Sequence, residues 1–313
     1  MTETRSPAYL GAYRTGLLER RAREAVARLA SCCLCPRRCG VNRLEDQRGF
    51  CRTGRRAVVA SYGPHFGEEE PLVGSGGSGT IFFSHCNLLC CFCQNYEISH
   101  GGEGEEVGPA DLARLMVHLQ RQGCSNVNLV SPSHVVAQFM EALPMAVEAG
   151  LRIPIVYNTG GYDLPETLGL LEGVVEIYMP DYKFTHPDPA ERFSAAADYP
   201  GIVCIALREM YRQVGDLELD ESGVARRGLL VRHLVLPQDL AGTEEAMSWI
   251  ARNLSRETYV NIMDQYRPCG TAREHAELSR GIDAAEYGKA VASARKAGLE
   301  RLDRRRALRL LNL

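Results

Sequence analysis

Neither sign of charge dominates this sequence. Its 36 Lys and Arg against 39 Asp and Glu leave a formal charge of −3 at pH 7. That gives no electrostatic reason for a nucleic acid or an anionic membrane to be a partner. Two stretches depart from the balance. RTGLLERRAREAVARLA near the start reads as an amphipathic helix with Leu18, Ala22, Ala25, Val26 and Leu29 on one side, and RLDRRRALRLLNL at the end is arginine-rich. Both read as solvated faces. The opening MTETRSPAYLGAY lacks the basic region and apolar core of a secretory leader. No apolar run approaches the roughly 20 residues of a spanning helix. Internal repeats and long low-complexity tracts are missing as well. These absences predict a cytoplasmic protein whose thiols stay reduced.

Cysteine, by contrast, is abundant and unevenly spread. There are 12, five between Cys32 and Cys51, four between Cys86 and Cys93, and only Cys124, Cys204 and Cys269 outside these groups. In a reducing compartment such clustering argues for metal or redox chemistry rather than disulfides.

The glycine-rich LVGSGGSGT, residues 72–80, reads as a flexible joint. It suggests two units, a helix and cysteine-rich metal-binding segment over 1–74 and a larger unit over 75–313 that ends in C-terminal helices. In the larger unit, apolar strand-like runs (80–85, 125–131, 153–159, 174–180, 229–236 and 258–264) alternate with helical spacing. PADLARLMVHLQRQG and GIVCIALREMYRQVG read as helices, and LELDESGVARRG as a hairpin turning at Ser222-Gly223. Continuous rather than alternating apolar runs fit parallel strands covered on both faces. The fold class predicted is α/β, a partial (β/α)6 parallel barrel with an N-terminal cysteine-rich segment. Chemistry in such sheets gathers at the carboxyl ends of strands. There the sequence places SHCNLLCCFC, SPSH, NTGGYD, PDYKF and MDQYRP.

Cys86, Cys90 and Cys93 form C-x3-C-x2-C. Three thiolates are one short of the closed shell of structural zinc or of an electron-transfer cluster. A [4Fe-4S] cube held by three cysteines keeps one iron free for a small molecule. Adding Cys91 would complete a zinc site, but the adjacent Cys90 and Cys91 side chains point in different directions. The spacing, Phe92 just before the third cysteine, and the position after the first strand of a β/α series resemble the radical S-adenosylmethionine superfamily. The phrase SHCNLLCCFCQNYEIS is similar to its pyruvate formate-lyase activating enzyme-like group. That likeness extends over nearly the whole chain through CPRRCGVNR, GLLVRHLVLP and QYRP.

The resemblance implies a radical enzyme. A [4Fe-4S] cluster on Cys86, Cys90 and Cys93 would cleave S-adenosylmethionine reductively to a 5′-deoxyadenosyl radical that takes hydrogen from substrate. A flavodoxin- or ferredoxin-type donor would supply the electron. The substrate implied is a glycyl residue of a partner enzyme, with a small metabolite or peptide as the alternative. YMPDYKF matches a segment in which the aspartate helps bind a monovalent cation and the lysine contacts the cofactor, pointing to Asp181 and Lys183. Asn158 and Thr159 of NTGG stand where an Asp-Thr cation pair is expected, with one charge removed. The Gly-Gly-Glu-like motif of the superfamily is replaced by SPSH. Ser131, Ser133 and His134 are therefore candidates for the cofactor's amino group, or else Ser133-His134 caps the helix that follows. Phe92 and Gln265 complete the cofactor-binding set, with Tyr266 and Arg267 beside Gln265. His85 is a candidate donor to a cluster sulfur.

Cys32, Cys35, Cys39 and Cys51 are spaced C-x2-C-x3-C-x11-C. Four thiolates at such spacing can enclose zinc or a second iron–sulfur cluster and tie down a segment with no core of its own. Simple packing cysteines are the alternative. A non-catalytic zinc-stabilised scaffold is the competing reading of the whole chain.

Overall fold

A computed structural model describes residues 6–303. Most of the arginine-rich C-terminal run lies outside them. Among the described residues there are nine strands: β1 (Ala57–His65), β2 (Ser78–Phe83), β3 (Glu105–Val107), β4 (Val127–Val130), β5 (Ile155–Thr159), β6 (Ile177–Pro180), β7 (Glu218–Leu219), β8 (Ala225–Leu234) and β9 (Tyr259–Met263). Strands β2, β4, β5, β6, β8 and β9 pair in that order, every pair parallel. The outer edge of β2 is taken by antiparallel β1, and β1 pairs β3. The predicted hairpin is the antiparallel β7–β8 pair. The result is a mixed α/β fold with a parallel-rich sheet.

Burial explains why the parallel strands are apolar throughout. Every residue of β5 and β6 is buried, whereas β1 is exposed along its second half. Helices cover the parallel strands, as crossovers between parallel strands require. The helix Pro109–Arg121 starts with proline at its first position, and Asp111 Oδ2 accepts from Gly108 N at 3.2 Å. It buries Leu112, Met116 and Leu119. The apolar spacing of 201–215 gives the helix Tyr199–Val214, as the sequence predicts. The helix Leu17–Ala27 buries Leu18, Ala22 and Ala25, while Val26 is half-buried. Among the described residues, no helix is long and apolar enough to cross a membrane.

The glycine-rich run 72–80 is not a loose joint. Leu72 and Val73 end a short helix, and Ser78, Gly79 and Thr80 are buried at the start of β2. A side chain at Gly76 would begin 1.9 Å from the Gly123 carbonyl oxygen. The small residues serve close backbone approach here, which composition does not distinguish from flexibility.

At the opposite end of the sheet from the strands' carboxyl termini, buried Glu176 fixes the first helix. Its Oε1 accepts from Ala8 N at 2.8 Å and its Oε2 from Ile155 N at 2.9 Å. A carboxylate at a helix N-terminus is favoured by the helix dipole, but burial pushes this carboxyl up from 4.5 to about 7. The folded chain therefore keeps a proton that the unfolded chain releases above about 4.5, and stability should fall as pH rises from there to about 7. The slope attributable to this group is at most about 1.4 kcal/mol per pH unit. Chemical denaturation of wild type and Glu176→Gln across this range should show the slope flattened in the variant.

Candidate functional site

The loop after β2 carries the cysteines, and its backbone is unusual. His85 and Leu89 have φ of 69° and 56°, and Ser131, which follows β4, has φ of 59°. Non-glycine residues in the left-handed region cost free energy and cluster where surrounding structure fixes a functional geometry. The loop faces a cavity of about 450 Å3 at the carboxyl ends of the parallel strands. Cys86, Cys90 and Cys93 line it, and so do Phe92, Ser131, Ser133, Asn158, Thr159, Asp181, Lys183 and Gln265. Cys91 does not. It is turned toward the Glu274 and Tyr266 side, and its amide donates to Phe193 O at 2.9 Å.

Each of the three thiols has a donor of its own. Leu88 N donates to Cys86 Sγ at 3.4 Å, Ser194 Oγ donates to Cys90 Sγ at 3.0 Å, and Ser99 is bonded to Cys93. Burial pushes the Cys90 thiol up to about 12, Lys183 opposing, and raises Cys93 as well. Without a bound metal these are protonated thiols, and metal binding must displace the protons. Among the described residues no three His, Cys, Asp or Glu side chains, as they stand, are arranged to hold a single metal ion. The three cavity-lining thiols, each with a donor aimed at sulfur, suit a larger cluster whose ligands sit further apart. Phe92 packs edge-on against Phe184 and Tyr266, with ring centroids 6.0 and 6.1 Å apart, closing the base of the loop.

Opposite the thiols the strand ends build a polar wall. Asp181 and Arg232 are paired across adjacent strands. Arg232 Nε donates to Asp181 Oδ1 at 2.7 Å, and its Nη2 donates to Asn158 Oδ1 at 2.7 Å. Lys183 Nζ is bonded to the other oxygen of Asp181. Burial alone would raise the Asp181 carboxyl, but Arg232 and Lys183 outweigh it and hold the group below its ordinary value. Behind this wall Asp163 accepts from Tyr157 OH at 2.9 Å and from Thr159 Oγ1. Ser133 Oγ lies 2.9 Å from Thr159 Oγ1. This buried chain fixes both hydroxyls at the cavity edge. Gly161, at φ +78°, lets the chain turn after β5, since a Cβ there would sit 2.5 Å from Asp181 O.

Several candidates fall elsewhere. His134 does not line the cavity; its ring is buried, and Nε2 lies 2.9 Å from Ser84 O. Burial pushes its imidazole down to about 3, so it is neutral. Neither Ser133 nor His134 caps the helix Val136–Glu148, which has no side-chain cap. His85 packs against Gly102 rather than lining the cavity. Tyr266 donates to Leu278 O at 2.7 Å and supports Phe92. Arg232, Asp163, Ser194 and Ser99 were not among the sequence candidates. Arg232 had a signal, as a lone guanidinium inside the apolar run LLVRHLVL. Ser194 had none, because Cys90 lies 104 residues away, while Asp163 and Ser99 stand within six residues of their partners, inside the runs NTGGYD and SHCNLLCCFCQNYEIS.

The second cysteine group lies close by. Arg37 Nε donates to Asn87 O at 2.9 Å, so the N-terminal segment docks on the central loop beside Cys86. A smaller hollow of about 290 Å3, between Gln238-Asp239 and the helix Ala284–Ala297, holds the Asp239–Lys289 ion pair and no cysteine.

The fold and site thus define an α/β protein with a parallel-rich sheet and a cavity faced by three cysteines and an Asp–Lys–Arg group. No protein-family model matches the sequence. An uncharacterised protein of Methanocaldococcus jannaschii is 33% identical over 280 residues, covering 86% of this chain and 76% of that protein. The chain belongs to the same family as that protein. Among solved structures, a radical SAM methyltransferase from Sphaerobacter thermophilus is similar at a TM-score of 0.48 and 15% identity, over 71% of this chain. The match spans 64% of that protein, less than two thirds of its length.

Proposed function

We propose that this protein is a radical S-adenosylmethionine enzyme of the activating-enzyme type, its parallel strands forming a partial (β/α)6 barrel. One observation carries the reading: Cys86, Cys90 and Cys93 line one cavity while Cys91, inside the same run, faces away. Three thiols on a cavity with room for a ligand suit a [4Fe-4S] cluster with one exchangeable corner better than a closed zinc site. Such a cluster, when bound, supplies the electron that cleaves the sulfonium of S-adenosylmethionine and so yields the 5′-deoxyadenosyl radical.

The chain's own residues do the rest. Cys86, Cys90 and Cys93 hold the cluster, and the donors from Leu88, Ser194 and Ser99 steady the sulfurs. Lys183 and Arg232 offer positive charge to a carboxylate. Ser131 and Ser133 offer hydroxyl oxygens to an amino group, and Thr159, which donates to Asp163 and accepts from Ser133, holds Ser133 in place. Asp181 keeps both cations in place. Where the resemblance expects a monovalent cation between Asn158 and Asp181, Arg232 supplies that charge from the chain itself. Phe92 and Leu88 exclude water from the loop, and Gln265 borders the opening. The substrate in this reading is a glycyl residue of a partner protein, with the electron coming from a flavodoxin- or ferredoxin-type donor.

Protein purified without oxygen should be brown, with a sulfur-to-iron band in the visible and about four irons at the central site. Colourless, zinc-loaded protein would favour the scaffold reading instead.

A further inference from the structure

Residues 32–56 contain no strand or α-helix, only a three-residue turn of 3-10 helix at Arg43–Glu45. Irregular stretches of that length inside a compact fold are uncommon without something to tie them together. What this one buries is unusual. Cys32, Cys35 and Cys51 are buried, and among them lies Arg43, 1% exposed. Its Nε donates to Gly54 O at 3.0 Å, and its Nη1 reaches His134 O at 2.8 Å and Cys32 Sγ at 3.7 Å. Its Nη2 is buried with no partner. None of these partners is a carboxylate.

An arginine does not shed its proton, so this is a full buried charge. An uncompensated buried ion costs several kcal/mol. The group the guanidinium reaches with any capacity for negative charge is sulfur. The four cysteines are mutual neighbours: Cys35 feels Cys51 and Cys32, and Cys39 feels Cys32 and Cys51 and is hydrogen-bonded to Cys32, all four thiols being free. Gly49 lies against them, since a Cβ there would sit 2.4 Å from Cys39 Sγ as it stands.

We propose that Cys32, Cys35, Cys39 and Cys51 form a four-thiolate metal centre, distinct from the central loop, whose negative charge is balanced by buried Arg43. Zinc and a [4Fe-4S] cluster share this chemistry, since four thiolates leave a net charge of about −2 around either. As they stand, the sulfurs do not converge on one ion. A zinc ion requires them to rotate about their Cα–Cβ bonds, whereas a cluster meets them over a wider ring. The centre would staple the segment that Arg37 docks onto the central loop. The proposal rests on these residues alone and not on the radical-enzyme reading.

The test uses the full chain with Cys86, Cys90 and Cys93 all changed to alanine, so that only this site is counted. After anoxic purification, elemental analysis should find about one zinc or about four irons per chain, which also tells the two apart. Adding Cys39→Ser, at the exposed member of the set, should remove most of that metal. Arg43→Met should release metal to a chelator at least about tenfold faster than Arg43→Lys, which keeps the charge. The proposal is overturned if the three-alanine protein stays metal-free even after zinc, or iron with sulfide, is supplied. It is also overturned if disulfides among the four are found instead of metal, or if Cys39→Ser leaves the metal content unchanged. Equal release from Arg43→Met and Arg43→Lys overturns the role of Arg43.

Discussion

Alanine at Cys86, Cys90 or Cys93 is expected to abolish reductive cleavage of S-adenosylmethionine, whereas Cys91→Ala should leave most of it. The contrast follows from where the four thiols face. Three line the cavity, and the fourth is turned to the Glu274 and Tyr266 side. Loss of any one of three cluster ligands leaves two, too few to hold the cube. Loss of Cys91 removes a half-buried thiol whose loop is held by backbone bonds to Phe193 and Thr271. The measurement is 5′-deoxyadenosine formed anaerobically with a chemical reductant, alongside iron content and melting temperature. If Cys91→Ala were as damaging as Cys90→Ala while still folded, the ligand assignment would be wrong.

The second large effect concerns Asp181. Removing its carboxylate leaves Lys183 and Arg232 as neighbouring buried cations without their shared anion, a change of about 3–5 kcal/mol for a buried pair. Asp181→Ala should therefore lower stability by that order and weaken S-adenosylmethionine binding at least about tenfold, without stripping iron. Arg232→Met should weaken binding similarly while Asp181 keeps Lys183. Because Asp181 is held below its ordinary value, its contribution to stability is present above the unfolded carboxylate range and is lost as pH falls through the lowered folded value. With Arg232 in place, replacing potassium by a bulky organic cation should leave binding unchanged. Calorimetric titration of the anoxic protein checks all of these. Unchanged affinity in Asp181→Ala would make that residue purely structural.

The six parallel strands were readable because each is an apolar run buried on both faces, so length and turn residues marked its ends. The antiparallel strand β1, between β3 and β2, was missed. Its run AVVASYGPH is short of large apolar residues and exposed along its second half, a weak strand signal. At the site, the set from Cys86 to Gln265 could be grouped from sequence because these residues follow the ends of parallel strands, and in the fold they line one cavity. His134 was placed at the ligand because a histidine at a strand end is chemically able. Its neighbour Ser84, which takes up the ring nitrogen, is 50 residues away. Arg232 acts through Asp181 and Asn158 on other strands, and only the sheet's register brings those together, whereas Asp163 turns back onto Tyr157 and Thr159 of the strand just before it. Arg43 gave no hint of burial, since arginines in irregular segments are usually solvated.

The most direct test of the central claim is electron paramagnetic resonance of the anoxic, reduced protein before and after adding S-adenosylmethionine. A cluster with a free iron predicts a reduced-cluster signal that shifts when the ligand binds. A signal indifferent to the ligand, or none because zinc fills the cysteines, contradicts it.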